Sequence, residues 1–185
     1  MKPGVRVAGG ELRGRGLAVP AGARPTEGRV REALFSIWGE RIAGVRFLDL
    51  FAGSGVVGLE AAGRGARSVL AVDADPRAVR IVEQNAGSVG VERFAVRRLT
   101  LPAGLARLLA EGAGPFDLVF ADPPYVFAAY GSLLEAAAPL LADEDAEIVV
   151  EHASRSELPA AAGPLARFAV RRYGEGSLSF YRRLR

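Results

Sequence analysis

The segment FLDLFAGSGVVG, Phe47–Gly58, carries an apolar run that ends in an acid and then three glycines, Gly53, Gly55 and Gly58, spaced G-x-G-x-x-G. Such a run reads as a buried strand that turns through a tight loop into a helix. Glycines in the loop let a ligand approach the backbone, and the helix N-terminus lies at the carboxyl edge of the sheet. The pattern is best known for holding a dinucleotide pyrophosphate. Asp49, four residues ahead of Gly53, sits awkwardly with that ligand. A carboxylate there meets a pyrophosphate at an electrostatic cost and favours a cation.

Strands and helices alternate outward from this segment. VRFLDLF, SVLAVDA, ERFAVRRL, PFDLVFADPPY and AEIVVEHA read as strands. VVGLEAAGRGA, DPRAVRIVEQNAGSVG, LPAGLARLLAEG and YGSLLEAAAPLLA read as the helices between them, Pro76 opening the second. The alternation predicts an α/β fold with a doubly wound, mostly parallel sheet. The tail, LARFAVRRYGEGSLSFYRRLR, predicts a hairpin about Gly174–Gly176 and hence an antiparallel edge strand. Ahead of the first βα unit, VRVAGGELRGRGLAVP reads as a small β-hairpin. ARPTEGRVREALFSIWGERI reads as a helix, with Thr26 as its cap and Val30, Ala33, Leu34, Ile37 and Trp38 on its apolar side. Two parts are expected: an N-terminal hairpin-plus-helix extension over residues 1–44 and a main domain over 45–185.

Composition narrows the class of protein. Half of the 185 residues are hydrophobic, enough for a sizeable core. With no cysteine and a single histidine, His152, neither a disulfide framework nor a thiolate or His-rich metal site is expected, and no metal is assigned. The apolar run LLEAAAPLLA is broken by Glu135 and Pro139, and MKPGVRVAGG lacks a signal-peptide core. A soluble cytoplasmic protein with no membrane contact is expected. The net charge of +3 is unevenly spread: residues 1–46 carry +5 and the remainder −2. A basic arm on a nearly neutral body suits nucleic acid, and Arg6, Arg13, Arg15, Arg24, Arg29 and Arg31 are the candidate phosphate contacts. A solvated, arginine-inflated surface is the plainer alternative for any one of them.

Asp73, twenty residues beyond Gly53, ends the second strand at the spacing of a carboxylate that binds ribose hydroxyls. NAD and S-adenosylmethionine both contain adenosine, so Asp73 suits either. Asp49 favours S-adenosylmethionine, which carries a sulfonium and an ammonium and no phosphate; Asp49 as a simple cap of a backbone turn is the alternative.

FADPPY, Phe120–Tyr125, ends the fourth strand beside the glycine loop. Consecutive prolines fix the backbone and remove two donors, and Asp122 is held extended by Pro123. The corner offers the Asp122 carboxylate, the Asp122 and Pro123 carbonyls and the aromatic face of Tyr125. Rigid acceptors suit a planar NH₂ group, and an aromatic ring suits an unstacked base. An Asp-Pro turn without chemistry is the alternative.

DLFAGSG, VDAD and DPPY together resemble class I S-adenosylmethionine-dependent methyltransferases that act on exocyclic amines. RVAGGELRGRGL, RPTEGRVREALFSI, FLDLFAGSGVVGLEAAGRGA, FDLVFADPPY and YGEGSLSFY resemble, end to end, the RsmD type. That family comprises bacterial methyltransferases that make N2-methylguanine in 16S ribosomal RNA. The resemblance implies a Rossmann-like sheet of seven strands with an N-terminal extension. It implies S-adenosylmethionine contacts from Asp49, Phe51, Gly53, Ser54 and Gly55, ribose contact from Asp73, and a catalytic corner of Asp122, Pro123, Pro124 and Tyr125. It further implies 16S RNA, in a partly assembled small subunit, as the substrate; a monomeric protein is expected. Two departures are plain: no acid follows the third strand, where AVRRLTLP stands, and the ribose acid is Asp73 rather than a longer Glu. Open alternatives are methylation of adenine N6, cytosine N4 or protein glutamine, an NAD-binding oxidoreductase, and a silent RNA-binding module.

Overall fold

The computed structural model describes residues 4–20 and 28–184. Thr26 and Arg24 lie outside the described residues. A two-residue ladder, β1 (Val5–Arg6) with β2 (Gly16–Leu17), precedes α1 (Gly28–Trp38) and a 3-10 turn, Gly39–Ile42. The βα units follow: β3 (Arg46–Leu50), α2 (Val56–Gly63), β4 (Ser68–Asp73), α3 (Pro76–Val89), β5 (Phe94–Arg98), α4 (Leu105–Ala110), β6 (Leu118–Ala121), α5 (Tyr130–Ala137) and β7 (Glu147–Ala153). The chain closes with β8 (Ala161–Ala162), β9 (Leu165–Tyr173) and β10 (Gly176–Arg183). Local chemistry marks the helix ends. Asp75 caps α3 by accepting from the Arg77 N–H at 2.8 Å, Pro76 opens it, and Gly90 ends it at φ +73. No helix among the described residues is long and apolar enough to cross a membrane.

The sheet order is β5-β4-β3-β6-β7-β10-β9-β8, with β5 through β7 parallel. The seven expected strands are all present, joined by the two-residue β8 at one edge. The edge strand β8 pairs antiparallel with β9, but the antiparallel strand of the tail hairpin is not itself at the edge. β10 inserts between β7 and β9, pairing antiparallel with both. Its Ser177, Ser179 and Tyr181 alternate with Leu178 and Phe180, so both faces of the strand are buried and it needs neighbours on either side. After β5 the chain crosses back to pair β6 with the free side of β3, so the topological switch falls between β3 and β6.

Alternation in the strands feeds two cores. Leu48, Leu50, Val119, Ala121 and Ile148 pack with α4 and α5 on one face. Phe47, Val69, Leu118, Phe120 and Val149 pack with α1 and α2 on the other. The second core also takes Val7 and Leu17 of the hairpin and Val30, Leu34, Phe35 and Trp38 of α1. The described part of the N-terminal extension is therefore built into the main core. Trp38 meets Phe47 edge-on at 5.6 Å, and its indole N–H donates to Glu147 at 3.3 Å.

Glu60 of α2 fastens this layer. It is fully buried and accepts from Arg31 Nε at 2.9 Å, Arg64 Nη2 at 2.7 Å and the Ala8 N–H at 3.1 Å. Arg31 is only 4% exposed and also donates to the Arg6 carbonyl. It is accordingly removed from the expected phosphate contacts, because a buried carboxylate claims it as counter-charge. Glu60→Ala should lower the unfolding free energy by about 3 kcal/mol in urea denaturation, since it strands a buried guanidinium. Arg13→Ala, at an exposed position, should stay within about 0.5 kcal/mol of the parent.

Candidate active site

Parallel pairing of β3 with β6 sets Asp49 opposite Phe120 and Leu50 opposite Ala121. The Asp122 N–H continues the ladder to the Leu50 carbonyl at 3.2 Å. The two loops leaving these strands, FAGSG and DPPY, therefore rise side by side from the carboxyl edge. Phe51 links them. It holds φ +60, and among the described residues it is the only non-glycine with positive φ. That conformation costs of order 1 kcal/mol or more and is maintained by its surroundings. Its ring meets Phe127 edge-on at 5.3 Å, and Phe127 meets Tyr130 at 5.3 Å. An aromatic column thus joins the glycine loop to the loop after Tyr125.

The three motif glycines place their amides where a phosphate cannot use them. The Gly53 N–H donates to Asp73 Oδ2 at 2.9 Å. The Gly55 N–H donates to the Ala52 carbonyl at 2.7 Å. The Gly58 N–H donates to Asp49 Oδ2 at 2.9 Å. Gly58 is required for packing, because a Cβ there would stand 3.0 Å from Val69 and 3.1 Å from Asp49. Gly55, at φ +74, would drive a Cβ to 2.8 Å from Val82. A Cβ on Gly53, at φ +56, would meet only the Phe51 carbonyl oxygen, at 4.0 Å. Of the three, Gly53 is the residue a ligand can approach.

Asp49 is 2% exposed and lies beneath α2, where the Gly58 N–H belongs to the first helical turn. Its capping of that turn, the simpler alternative, is therefore real. Its electrostatics go further. Burial raises its pKa from 3.8 to about 8, the Gly58 hydrogen bond opposes the rise, and Asp122 and Asp73 add to it by charge repulsion. Asp73 is half-buried; its second oxygen accepts from the Asp75 N–H at 2.9 Å, and a carboxylate has acceptor sites beyond these two bonds. Three acids thus share one edge, and Asp122 and Asp73 raise the cost of charging Asp49.

At the corner, Pro123 is buried and Asp122 half-buried, whereas Pro124 and Tyr125 are exposed, Tyr125 to 57%. The Pro124 carbonyl accepts from the Phe127 N–H at 2.7 Å, closing the turn. Ser54 is buried, and its carbonyl accepts from Asn85 Nδ2 at 2.8 Å. Asn85 also exchanges two hydrogen bonds of 2.9 Å with the Ala18 backbone, tying the glycine loop to the hairpin. Sequence reasoning missed this residue. Its signal was an amide at a core position of α3, in line with Ala78 and Val82.

Of the basic candidates, Arg6, Arg13, Arg15 and Arg29 are exposed, and Arg6 braces its hairpin through the Gly14 carbonyl at 2.8 Å. His152 is buried; its ring nitrogens meet Ser179 Oγ and the Ala153 carbonyl, both at 2.9 Å, and burial lowers its pKa. Phe35 and Trp38 are core residues, each 1% exposed.

An acid that is neutral in the folded protein and ionised when unfolded binds more protons folded. Its contribution to stability is therefore full below pH 3.8 and lost as pH rises through about 8. Asp49→Asn keeps an acceptor for Gly58 and removes that titration. Its melting temperature should lose the part of the wild-type decline between pH 5 and 9 that Asp49 causes, as thermal scans across that range will test. An unchanged slope would place the titrating group elsewhere.

Comparison with known proteins agrees in fold and in family. The family described as Conserved hypothetical protein 95 matches residues 5–182. Ribosomal RNA small subunit methyltransferase D of Escherichia coli K12 is 38% identical over 170 residues, covering 84% of this chain and 78% of that protein. The protein of the same name from Haemophilus influenzae is 32% identical over 143 residues, covering 76% and 72%. Among solved structures, a hypothetical protein of Thermus thermophilus matches with a TM-score of 0.81 at 37% identity, over 95% of this chain and 98% of that one.

Proposed function

Because this chain belongs to the RsmD-type family of class I methyltransferases, we propose that it methylates the exocyclic N2 amine of a guanine in 16S ribosomal RNA, with S-adenosylmethionine as donor. The observation that carries the donor assignment is the fate of the glycine amides. Those of Gly53 and Gly58 are held by carboxylates and that of Gly55 by a backbone carbonyl. A pyrophosphate would meet Asp49, Asp73 and Asp122 instead of donors. A sulfonium and an ammonium would meet counter-charges, with Gly53 open to their approach. Asp73 would hold the ribose, and Asp49, Phe51, Ser54 and Gly55 would shape the floor.

S-adenosylmethionine supplies an electrophilic methyl group on a positively charged sulfur. The chain's own residues prepare the acceptor. An Asp122 carboxylate oxygen and the Pro123 carbonyl accept the two N–H bonds of the amine, drawing its lone pair out of conjugation and toward the donor. Tyr125 stacks on the base and excludes sideways motion. Acceptors aimed at positive charge developing on nitrogen stabilise the transition state. As the N–CH₃ bond forms, the methyl–sulfur bond would break with its electron pair staying on sulfur, S-adenosylhomocysteine would be the leaving group, and the proton lost by the amine would pass along the hydrogen bond to Asp122. We place this chemistry in the cytoplasm, on small-subunit RNA in a partly assembled particle, with the protein acting as a monomer. The exposed arginines Arg6, Arg13, Arg15 and Arg29, with Arg24, would meet phosphates around the site.

The test is transfer of tritium from labelled S-adenosylmethionine to undermethylated small subunits and to naked 16S RNA, followed by nucleoside analysis. Label should appear in N2-methylguanosine; label in adenine or cytosine would overturn the substrate assignment. Asp122→Ala should lower the rate by about a hundredfold or more while changing S-adenosylhomocysteine affinity by less than about threefold. Transfer at the parental rate would overturn the acceptor-corner mechanism.

A further inference from the structure

A groove runs away from the acceptor corner over β7, β10 and β9. It begins as a cavity of about 300 Å³ between Tyr125, Arg155 and Glu175. Ser154 and Arg155 also wall a second cavity of about 560 Å³, which therefore adjoins the first. Arg167 and Arg172 of β9 form its far wall.

Strand register explains its polarity. Ser177 pairs with His152 on one side and Arg172 on the other, so all three side chains share one face of β7-β10-β9. Elsewhere that face is covered by α4 and α5 and is apolar. Here the segment after β7 crosses it, and the floor is polar: His152 bonds Ser179, and Ser154 bonds Ser177 at 2.8 Å. Burial holds His152 toward its neutral form, so the positive charge comes from the arginines. In the second cavity three arginines face one acid, Glu157. Arg155 and Arg172 are exposed and take part in none of the ion pairs among the described residues. Such cations along a polar groove fit an anionic chain.

We propose that this groove is a second RNA-contacting surface, in which phosphates next to the target nucleotide lie against Arg155 and Arg172. The proposal rests on the assignment of an RNA substrate above. Its geometric warrant is continuity. A strand that places one base against Tyr125 carries its neighbouring phosphates past Arg155, because Tyr125 and Arg155 line the same cavity. An acidic protein segment would fit the charge but would have no reason to start at a stacking residue.

Affinity for a fluorescent 16S RNA hairpin, measured across a salt series, tests this. Removing one phosphate contact lowers the slope of log K against log salt by about 0.7–0.9. Arg155→Gln/Arg172→Gln should weaken binding about tenfold near physiological salt and reduce the slope by about 1.5. Arg107→Gln, on α4 and outside the groove, should leave the slope as it is. Hydrogen exchange on the wild-type complex should show protection at residues 154–158, a readout that needs no variant. Wild-type methylation of RNA with an unaltered slope in the double variant and no protection at 154–158 would overturn the groove alone. A wild type that binds no RNA would overturn the substrate assignment and the groove together. Loss of binding to poly-glutamate but not to RNA in the double variant would reassign the groove to an acidic protein.

Discussion

Parallel pairing of β3 with β6 is the constraint on which the site depends. It brings Asp49 and Asp122, from distant parts of the sequence, to one edge, and the Asp122 amide completes the ladder to Leu50. Everything at the edge answers to that closeness. Between the loops Phe51, at positive φ, meets Phe127 edge-on. The acids need protons or cations, and the protein's own groups leave Asp49 inclined toward its neutral form.

The glycine loop illustrates how one sequence pattern can serve opposite charges. Spacing alone describes a backbone that bends sharply and a helix that begins behind it. Charge preference is decided by what occupies the amides. Here carboxylates hold two of the three glycine N–H groups, and one of these, that of Gly58, lies in the first turn of α2, so part of the helix's positive end is answered from within the protein. Asp49 is at once a helix anchor and a latent negative charge, neutral at rest and ionised against an incoming cation, and the two roles are compatible because a carboxyl group has acceptor sites to spare.

Much of this was legible in the sequence because it is local. Period-two and period-3.6 patterns, the Asp75-Pro76 helix start and the glycine punctuation are statements about neighbouring residues. The offset from Gly53 to Asp73 was legible too, since one βα unit has a nearly fixed length. Long-range pairing was not. Arg31 looked like the arginines around it, and only Glu60, twenty-nine residues on, shows it to be part of the core. Asn85 reaches Ala18 across sixty-seven positions. The insertion of β10 between β7 and β9 leaves no trace in either strand's composition, because a strand buried on both faces reads the same wherever it lies. The groove beside Tyr125 was illegible for a related reason: it exists only where β7, β9 and β10 lie in register.

The central claim is that this edge is built for a cation and not for a phosphate. Titration calorimetry at pH 7 tests it directly, with S-adenosylmethionine and NAD each run in two buffers of different ionisation enthalpy. Binding of S-adenosylmethionine should release protons as Asp49 ionises against the incoming charge, and NAD should give no binding heat. NAD binding as tight as S-adenosylmethionine, or uptake of S-adenosylmethionine with no proton released, would contradict the account.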